Sequence, residues 1–447
     1  MIKVITYGTY DLLHYGHIRL LERAKSLGDY LVVGITADDF DKTRGKINVK
    51  QPLMERIEAV RTTGLADEII VEEYEGQKID DIQRYHIDIF TVGSDWEGKF
   101  DYLNEYCKVV YLSRTEGISS SELRTENRKL KIGLVGESLV LKKFANECNY
   151  VNGIEVDGIC TDNYEFAKKQ FGNLSCITDD YDQLLKNVDA VYIVSHPVNH
   201  YVQIKKALLM DKHILCESPI ALSYEQCKEL IKLARQQKCI LMDAIKTAYS
   251  TAYSRLLLLV KSGIIGNIVS IEATCTSLKD IDGVEINDLS KKWNSICAWG
   301  PTAMLPVFQL LGTKYESKTT VSKFADEKEQ FDLFTKIDFI YKNAVATVKV
   351  AKGVKSEGEL IISGTSGYIY VPSPWWKTDY FEVRYENSEN NKRYFYQLDG
   401  EGIRYEIVAF VKSIETGKYS TYINNNITEK ICTVINDFIE KKNLINI

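Results

Sequence analysis

The sequence predicts an α/β chain: two separately wound parallel sheets, then an α+β domain built on an open antiparallel sheet. Three observations predict it. An apolar strand runs into a glycine turn and a helical pattern at Ile2–Gly8, and another does so at Lys131–Gly136, about 130 residues later. From about residue 264 the strand–helix alternation gives way to longer runs of alternating apolar and polar residues. A length of 447 residues is that of two to three domains rather than one core.

Strands of the first unit are expected at 2–7, 30–36, 68–72, 88–93 and 108–112, with helical patterns between most of them. The charged stretch Arg124–Lys129 marks its end, near residue 128. The second unit has strand patterns at 131–135, 153–160, 190–194, 213–216 and 239–242, alternating with helices such as 164–171 and 224–237. The alternating runs at 268–275, 335–342, 345–351, 358–363, 368–371, 380–384 and 392–397 imply a largely antiparallel sheet. Glu429–Lys442 has helical spacing. The expected domains are therefore 1–128, 129–246 and 247–447.

Composition excludes several classes. The 45% apolar and 26% charged fractions are those of a soluble globular protein. Acids outnumber bases 62 to 56, a net charge of −6, which argues against sequence-independent nucleic-acid binding but leaves room for a local basic pocket. No apolar run approaches the ~18 residues of a membrane span, and the N-terminus lacks a signal-peptide pattern. The ten cysteines include no pair separated by only two residues, so neither a zinc ribbon nor a redox dithiol is indicated, and thiols buried singly are expected. Together these features point to a cytoplasmic protein without nucleic-acid or membrane partners.

The densest chemical signal is Gly8-Thr9-Tyr10-Asp11-Leu12-Leu13-His14-Tyr15-Gly16-His17. Two histidines flank a glycine at the mouth of a helix, directly after the first strand. Gly16 lets backbone approach a phosphate, and the helix N-terminus adds partial positive charge. Imidazoles there can donate to an α-phosphate and a leaving pyrophosphate, which is electrostatic catalysis without a covalent intermediate. Arg114-Thr115-Glu116-Gly117-Ile118-Ser119-Ser120 follows the last strand and supplies a second phosphate-facing edge.

With these motifs and Asp95-Trp96-Glu97-Gly98-Lys99-Phe100, residues 1–125 resemble the glycerol-3-phosphate cytidylyltransferase family. The resemblance implies a Rossmann-like, usually dimeric domain that uses CTP and Mg²⁺ to join CMP to a phosphorylated alcohol. It implies that His14 and His17 stabilise the transition state, that Ser119 and Ser120 hold the triphosphate, and that Arg114 assists them. Lys46 would neutralise the incoming phosphates, Asp11 would lie near the magnesium, and Asp95 and Trp96 would line the base or acceptor pocket. Gly8, Thr9, Tyr10, Gly16, Thr115, Gly117 and Ile118 complete the nucleotide-binding set. Gly64 stands where the family often has an arginine, with Arg56 and Arg61 as nearby alternatives, and Ser94 replaces a common acid. Both departures fall on the acceptor side.

In the second unit, Gly136 opens a dinucleotide-type turn, but the second and third glycine places hold Ser138 and Leu141. Thr161 and Asp162 follow the next strand, where a ribose contact belongs. Ser195-His196-Pro197-Val198-Asn199-His200 and Glu217-Ser218-Pro219 follow later strands. This order resembles the glucose–fructose oxidoreductase and inositol dehydrogenase family over about 131–447. The resemblance implies a Rossmann NAD(P)-binding domain with NADPH or NADH held by Gly136, Ser138, Leu139, Thr161, Asp162, Ser195, His196, Pro197, His200, Glu217, Ser218 and Pro219. The family's lysine between Glu217 and Pro219 is Ser218 here, and no histidine follows His213 to serve as its usual acid. Lys246 is then the candidate proton donor, with Tyr249 as a possible sharer, provided burial or a neighbouring cation tunes the amine.

A phosphate ester for one half and a carbonyl for the other are both present in a ketose phosphate. The expected function is a bifunctional cytidylyltransferase and reductase that yields a CDP-polyol for cell-surface polysaccharide, acting as a homo-oligomer, dimer or larger. Fructose 6-phosphate giving CDP-glucitol is one pairing; ribulose 5-phosphate and dihydroxyacetone phosphate give CDP-ribitol and CDP-glycerol. The alternatives are a non-catalytic sensor or assembly platform in the second half, and an ATP-using transferase in the first.

Overall fold

A computed structural model of the chain describes residues 1–38, 40, 49, 51–74, 76–113, 129–151, 153–278, 293–325, 331–396, 398–417 and 422–447. The chain divides into two compact units, Met1–Lys129 and Leu130–Ile447.

The first unit is built on β1 (Lys3–Gly8), β2 (Tyr30–Thr36), β3 (Glu68–Glu72), β4 (Ile89–Gly93) and β5 (Lys108–Leu112). All neighbours pair in parallel, in the order β3-β2-β1-β4-β5. Val4, Ile5, Leu31, Val32, Val33, Ile35 and Phe90 are wholly buried, as strands covered on both faces require. The chain winds outward from β1 in one direction and from β4 in the other, so the loops after β1 and β4 leave the same carboxyl edge at the point where the winding reverses. Parallel sheets bind their ligands at that crevice.

The second unit repeats the logic with β6 (Leu130–Val135), β7 (Ile154–Cys160), β8 (Cys176–Thr178), β9 (Ala190–Ile193), β10 (His213–Glu217) and β11 (Leu241–Ala244), ordered β11-β10-β9-β6-β7-β8 and parallel throughout. Its reversal lies between β6 and β9.

A nine-stranded sheet follows in the same unit. It comprises β12 (Ile268–Thr276), β13 (Ser317–Phe324), β14 (Asp332–Ile340), β15 (Val345–Ala351), β16 (Leu360–Gly364), β17 (Tyr368–Val371), β18 (Tyr380–Arg384), β19 (Lys392–Phe395) and β20 (Leu444–Asn446). The sheet is mixed rather than purely antiparallel, because β12 pairs with β15 and β13 with β20 in parallel. The helix Ser295–Leu310 covers it, setting Phe308 edge-on to Phe339 with ring centroids 5.6 Å apart. That helix is apolar nearly all round, as a helix inside a core should be.

Three strands, β8, β13 and β20, escape the sequence pattern. β8 is only three residues long. The inward positions of β13 are Lys318, Thr320 and Ser322, so no apolar alternation betrays it. Ser322 meets Thr335 at 2.8 Å and Lys318 pairs with Asp437 at 3.3 Å, which satisfies these groups inside. The last helix spans Asn425–Ile439 and yields to β20, which extends the sheet at its edge. All ten cysteines are free, but Cys216, Cys227, Cys239 and Cys432 share one apolar core and are not isolated singly. Among the described residues no helix is long and apolar enough to cross a membrane.

Candidate active sites

In the first unit, the loop after β1 is bent by two left-handed residues, Tyr10 (φ 53°) and Leu12 (φ 48°). A strap from residues 51–56 holds it there. Gln51 donates its amide to Asp11 Oδ1 at 3.0 Å and accepts from the Leu12 amide at 2.8 Å. Gly8 is required beneath the loop, since a Cβ there would lie 2.9 Å from the Tyr10 ring. Thr9, Tyr10 and Asp11 are buried.

His14 caps the helix Tyr15–Lys25, and its Nδ1 accepts from the Gly16 amide at 3.1 Å. That bond leaves the Nε2 of the neutral ring as its N–H donor. The His17 ring stacks on His14 with centroids 3.9 Å apart and meets Tyr10 edge-on at 5.5 Å. Both imidazoles are half-buried at the reversal point of the sheet. Asp95 and Trp96 leave β4 at the same edge, Asp95 exposed and Trp96 packed on Phe100 with Lys99 over its ring. Lys46, Arg114, Thr115, Gly117, Ile118, Ser119 and Ser120 lie outside the described residues.

Arg56 is not available to an acceptor. It is fully buried, donating to the Thr9 carbonyl at 2.7 Å, the Thr36 carbonyl at 3.0 Å and the Gln51 carbonyl at 3.0 Å, and pairing with Asp38 at 2.5 Å. Arg61 pairs with Glu58 on the surface at 2.6 Å. Arg56 thus shapes the loop that presents the histidines, a role visible only once residues 9, 36, 38 and 51 converge. Arg56→Met strands these carbonyls inside the protein, and a loss of about 3 kcal/mol or more in unfolding free energy is expected. Denaturant titration checks this; an unchanged midpoint would contradict it.

For magnesium, Asp11 has one oxygen committed to the Gln51 amide. No cluster of three or more His, Cys, Asp or Glu able to hold a metal occurs among the described residues.

In the second unit, Gly136 (φ +117°) brings the β6 turn against β9, where a Cβ would meet the Ser195 amide at 3.0 Å. Ser138 caps the helix Leu139–Cys148 and accepts from the Val140 amide at 3.3 Å, which aims that N-terminus at the crevice beside exposed Leu139. A dinucleotide's pyrophosphate suits that position, although buried Leu141 occupies the third glycine place. Thr161 is buried and takes the Asn163 amide at 3.2 Å, while Asp162 is exposed. Asn163 also donates to Glu137 at 3.3 Å.

The loops after β9 and β10 are tied by His200. This ring is wholly buried, with Nδ1 2.8 Å from the Pro219 carbonyl and Nε2 2.8 Å from the Ser195 carbonyl. Burial pushes its pKa down to about 4. His200 therefore holds two loops together and does not face a cofactor, in contrast to the sequence expectation. His196 caps the helix Pro197–Leu209, and Ser195 donates to Gln203 at 2.5 Å. The Glu217 carboxylate accepts from the Tyr192 hydroxyl, and burial raises its pKa.

Lys246 follows β11 and donates to Glu401 at 2.9 Å. Its charged partner is thus a carboxylate, whereas the sequence reading asked for burial or a neighbouring cation around the amine. Tyr249 is buried, edge-on to Tyr422 at 5.8 Å. Asp243, which no motif singled out, is buried on β11. Neither of its oxygens, nor the Ser218 hydroxyl, has a well-formed hydrogen bond among the described residues. Burial pushes the Asp243 carboxyl up to about 6 against the pull of the Ser218 and Thr428 hydroxyls.

The folded chain therefore keeps the Asp243 proton longer than the unfolded chain does. The stability it contributes is present below pH ~4 and lost as pH rises through about 6. Asp243→Asn is expected to gain up to about 3 kcal/mol on its parent between pH 4 and pH 8, the pH-independent cost of a buried amide cancelling in that comparison. Denaturant midpoints across pH check this, and parallel profiles would contradict it.

Residues 5–126 match the family described as Cytidylyltransferase-like. The chain is 50% identical over 130 residues to the glycerol-3-phosphate cytidylyltransferase of Bacillus spizizenii (strain ATCC 23059 / NRRL B-14472 / W23), covering 29% of this chain and 100% of that one. The chain belongs to the cytidylyltransferase-like family. The Staphylococcus aureus (strain NCTC 8325 / PS 47) glycerol-3-phosphate cytidylyltransferase is 47% identical over 129 residues, 28% of this chain and 95% of its own. Beyond this cytidylyltransferase-like part, residues 130–244 match the family described as Oxidoreductase family, NAD-binding Rossmann fold. KijD10, a 3-ketoreductase from Actinomadura kijaniata solved with NADP and TDP-benzene, shares that fold. Its TM-score is 0.63 at 16% identity, over 72% of this chain and 100% of that one. The chain is a cytidylyltransferase-like domain fused to an NAD(P)-binding oxidoreductase fold.

Proposed function

We propose that the chain is a bifunctional enzyme that transfers CMP from CTP to a sugar or polyol phosphate and reduces a ketose carbonyl with NAD(P)H, giving a CDP-polyol for cell-surface polysaccharide. The observation that carries the first half is the His14–His17 stack at the reversal point of a parallel sheet, in a unit half-identical to known cytidylyltransferases. There the Nε2–H of His14, fixed by its bond from Gly16, donates to the phosphate charge that develops as pyrophosphate leaves. Trp96 and Asp95 line the neighbouring pocket. Mg²⁺ held by the nucleotide would neutralise phosphate charge.

For the second half, a nicotinamide cofactor would supply hydride. The helix N-terminus at Ser138 holds its pyrophosphate, and Lys246 protonates the oxygen that becomes the alcohol. Exposed Asp162 and the neighbouring Glu137 favour two ribose hydroxyls over a 2′-phosphate, hence NADH over NADPH. The second reading, a non-catalytic sensor or platform, is favoured by Ser218 in the usual lysine's place and by buried Leu141 in that of a glycine. Fluorescence titration with NADH and NADPH, followed by turnover on a panel of ketose phosphates, separates the two. Oxidation of NAD(P)H supports the reductase; binding without oxidation across the panel supports the sensor. A cytoplasmic homo-oligomer belongs to the same proposal.

A further inference from the structure

Glu401 gathers three lysines from three distant parts of the second unit. Its Oε1 accepts from Lys143 and from Lys377, each at 3.0 Å, and its Oε2 accepts from Lys246 at 2.9 Å. Partial burial would raise this carboxyl, but the bonds from Lys246, Lys143 and Lys377 outweigh it and hold the pKa down to about 2. One carboxylate against three ammonium groups leaves a surplus of positive charge.

The nearby acids do not remove the surplus. Glu147 is taken by Arg404 at 2.8 Å. Glu217 and Glu406 also face Lys246, but burial pushes both towards their neutral forms. The helix Ile403–Thr416 starts two residues after Glu401, and its Gly402 N-cap makes no side-chain bond, so its first amides add positive character. The side chains of Lys143, Lys377 and Glu401 are 52%, 35% and 33% exposed, so solvent and solutes reach the cluster. Lys246 lies just beyond the carboxyl end of β11, and Lys143 sits on the helix that follows the β6 turn. This is the edge at which parallel sheets take ligands.

Resting on the reductase reading above, we propose that Lys143 and Lys377 form the recognition site for the phosphoryl end of the reductase's substrate, and that Glu401 is the internal anion this group displaces. A phosphoryl group has the oxygens to accept from Lys143 and Lys377 together. Its arrival frees Lys246 from Glu401 to face the carbonyl of the same molecule. A ketose phosphate and a nucleoside-diphosphate ketose share this chemistry. Glu401 lies in the left-handed region (φ 55°) between Gly400 and Gly402, a backbone conformation that disfavours a non-glycine residue.

The test is calorimetric titration of the full chain with inorganic phosphate and with pyrophosphate, the first site being saturated with a non-hydrolysable CTP analogue. Glu401→Gln keeps the shape and removes the competing charge, so about tenfold tighter binding than the parent is expected. Adding Lys143→Met or Lys377→Met should abolish the gain. Equal affinity in parent and Glu401→Gln, or a gain that survives both lysine substitutions, overturns the proposal and leaves the cluster a structural tie. If Glu401→Gln does not fold, the parent's melting shift with pyrophosphate must vanish in Lys143→Met and in Lys377→Met, and its persistence overturns the proposal. Tighter phosphate binding indicates a monoester and tighter pyrophosphate binding a nucleoside diphosphate. Anion binding needs no turnover, so a chain that passes this titration yet never oxidises NAD(P)H would sink the reductase reading alone.

Discussion

His17→Ala should lower CMP transfer about 10²–10³-fold, the range for removing one preorganised donor from a developing oxyanion. NAD(P)H binding and oxidation should be unaffected. The structure gives the reason for so large an effect. His17 stacks on His14 at 3.9 Å and touches Tyr10, so its ring is fixed before substrate arrives. Fixed donors cost no reorganisation when the pyrophosphate leaves. The fold should survive, because the strap from Gln51 and Arg56 holds the loop without involving His17. Pyrophosphate release, assayed with each nucleoside triphosphate in turn, measures the loss and also separates CTP from ATP. Transfer at the parental rate would remove the first site from the account.

Lys246→Met should lower NAD(P)H oxidation on a ketose phosphate about 10²–10⁴-fold, the range for losing a positioned general acid, and spare CMP transfer. Methionine keeps the unbranched stem without the ammonium group, and Glu401 retains Lys143 and Lys377 as partners, so the loop at 399–402 should stay in place. A variant as active as its parent would shift attention to Tyr249. That tyrosine is buried against Tyr422 and would need to move to reach a substrate.

Much of this was legible before any coordinates. β1 and β4 announce themselves because central strands of a parallel sheet read as short apolar runs, here ending in glycine at Val4–Gly8 and Ile89–Gly93. His14, Gly16 and His17 are legible because the chemistry is confined to four consecutive positions at one helix mouth. β13 is hidden because Lys318, Thr320 and Ser322 point inward, with Lys318 satisfied by Asp437 and Ser322 by Thr335. The Glu401 cluster is hidden for another reason. Its members come from positions 143, 246, 377 and 401, and no periodicity links residues that far apart. His200 misleads because it stands in the Pro197-Val198-Asn199-His200 order that carries the family resemblance, while its two carbonyl partners lie five and nineteen residues away.

The claim that one chain carries both activities is tested most directly by mass spectrometry of products formed from CTP, NADH or NADPH, and a mixture of sugar phosphates. The account predicts a CDP-linked ion two hydrogens heavier than the matching CDP-ketose, formed only when CTP and the nicotinamide are both present. A CDP-linked product whose mass and yield do not depend on the nicotinamide would contradict it.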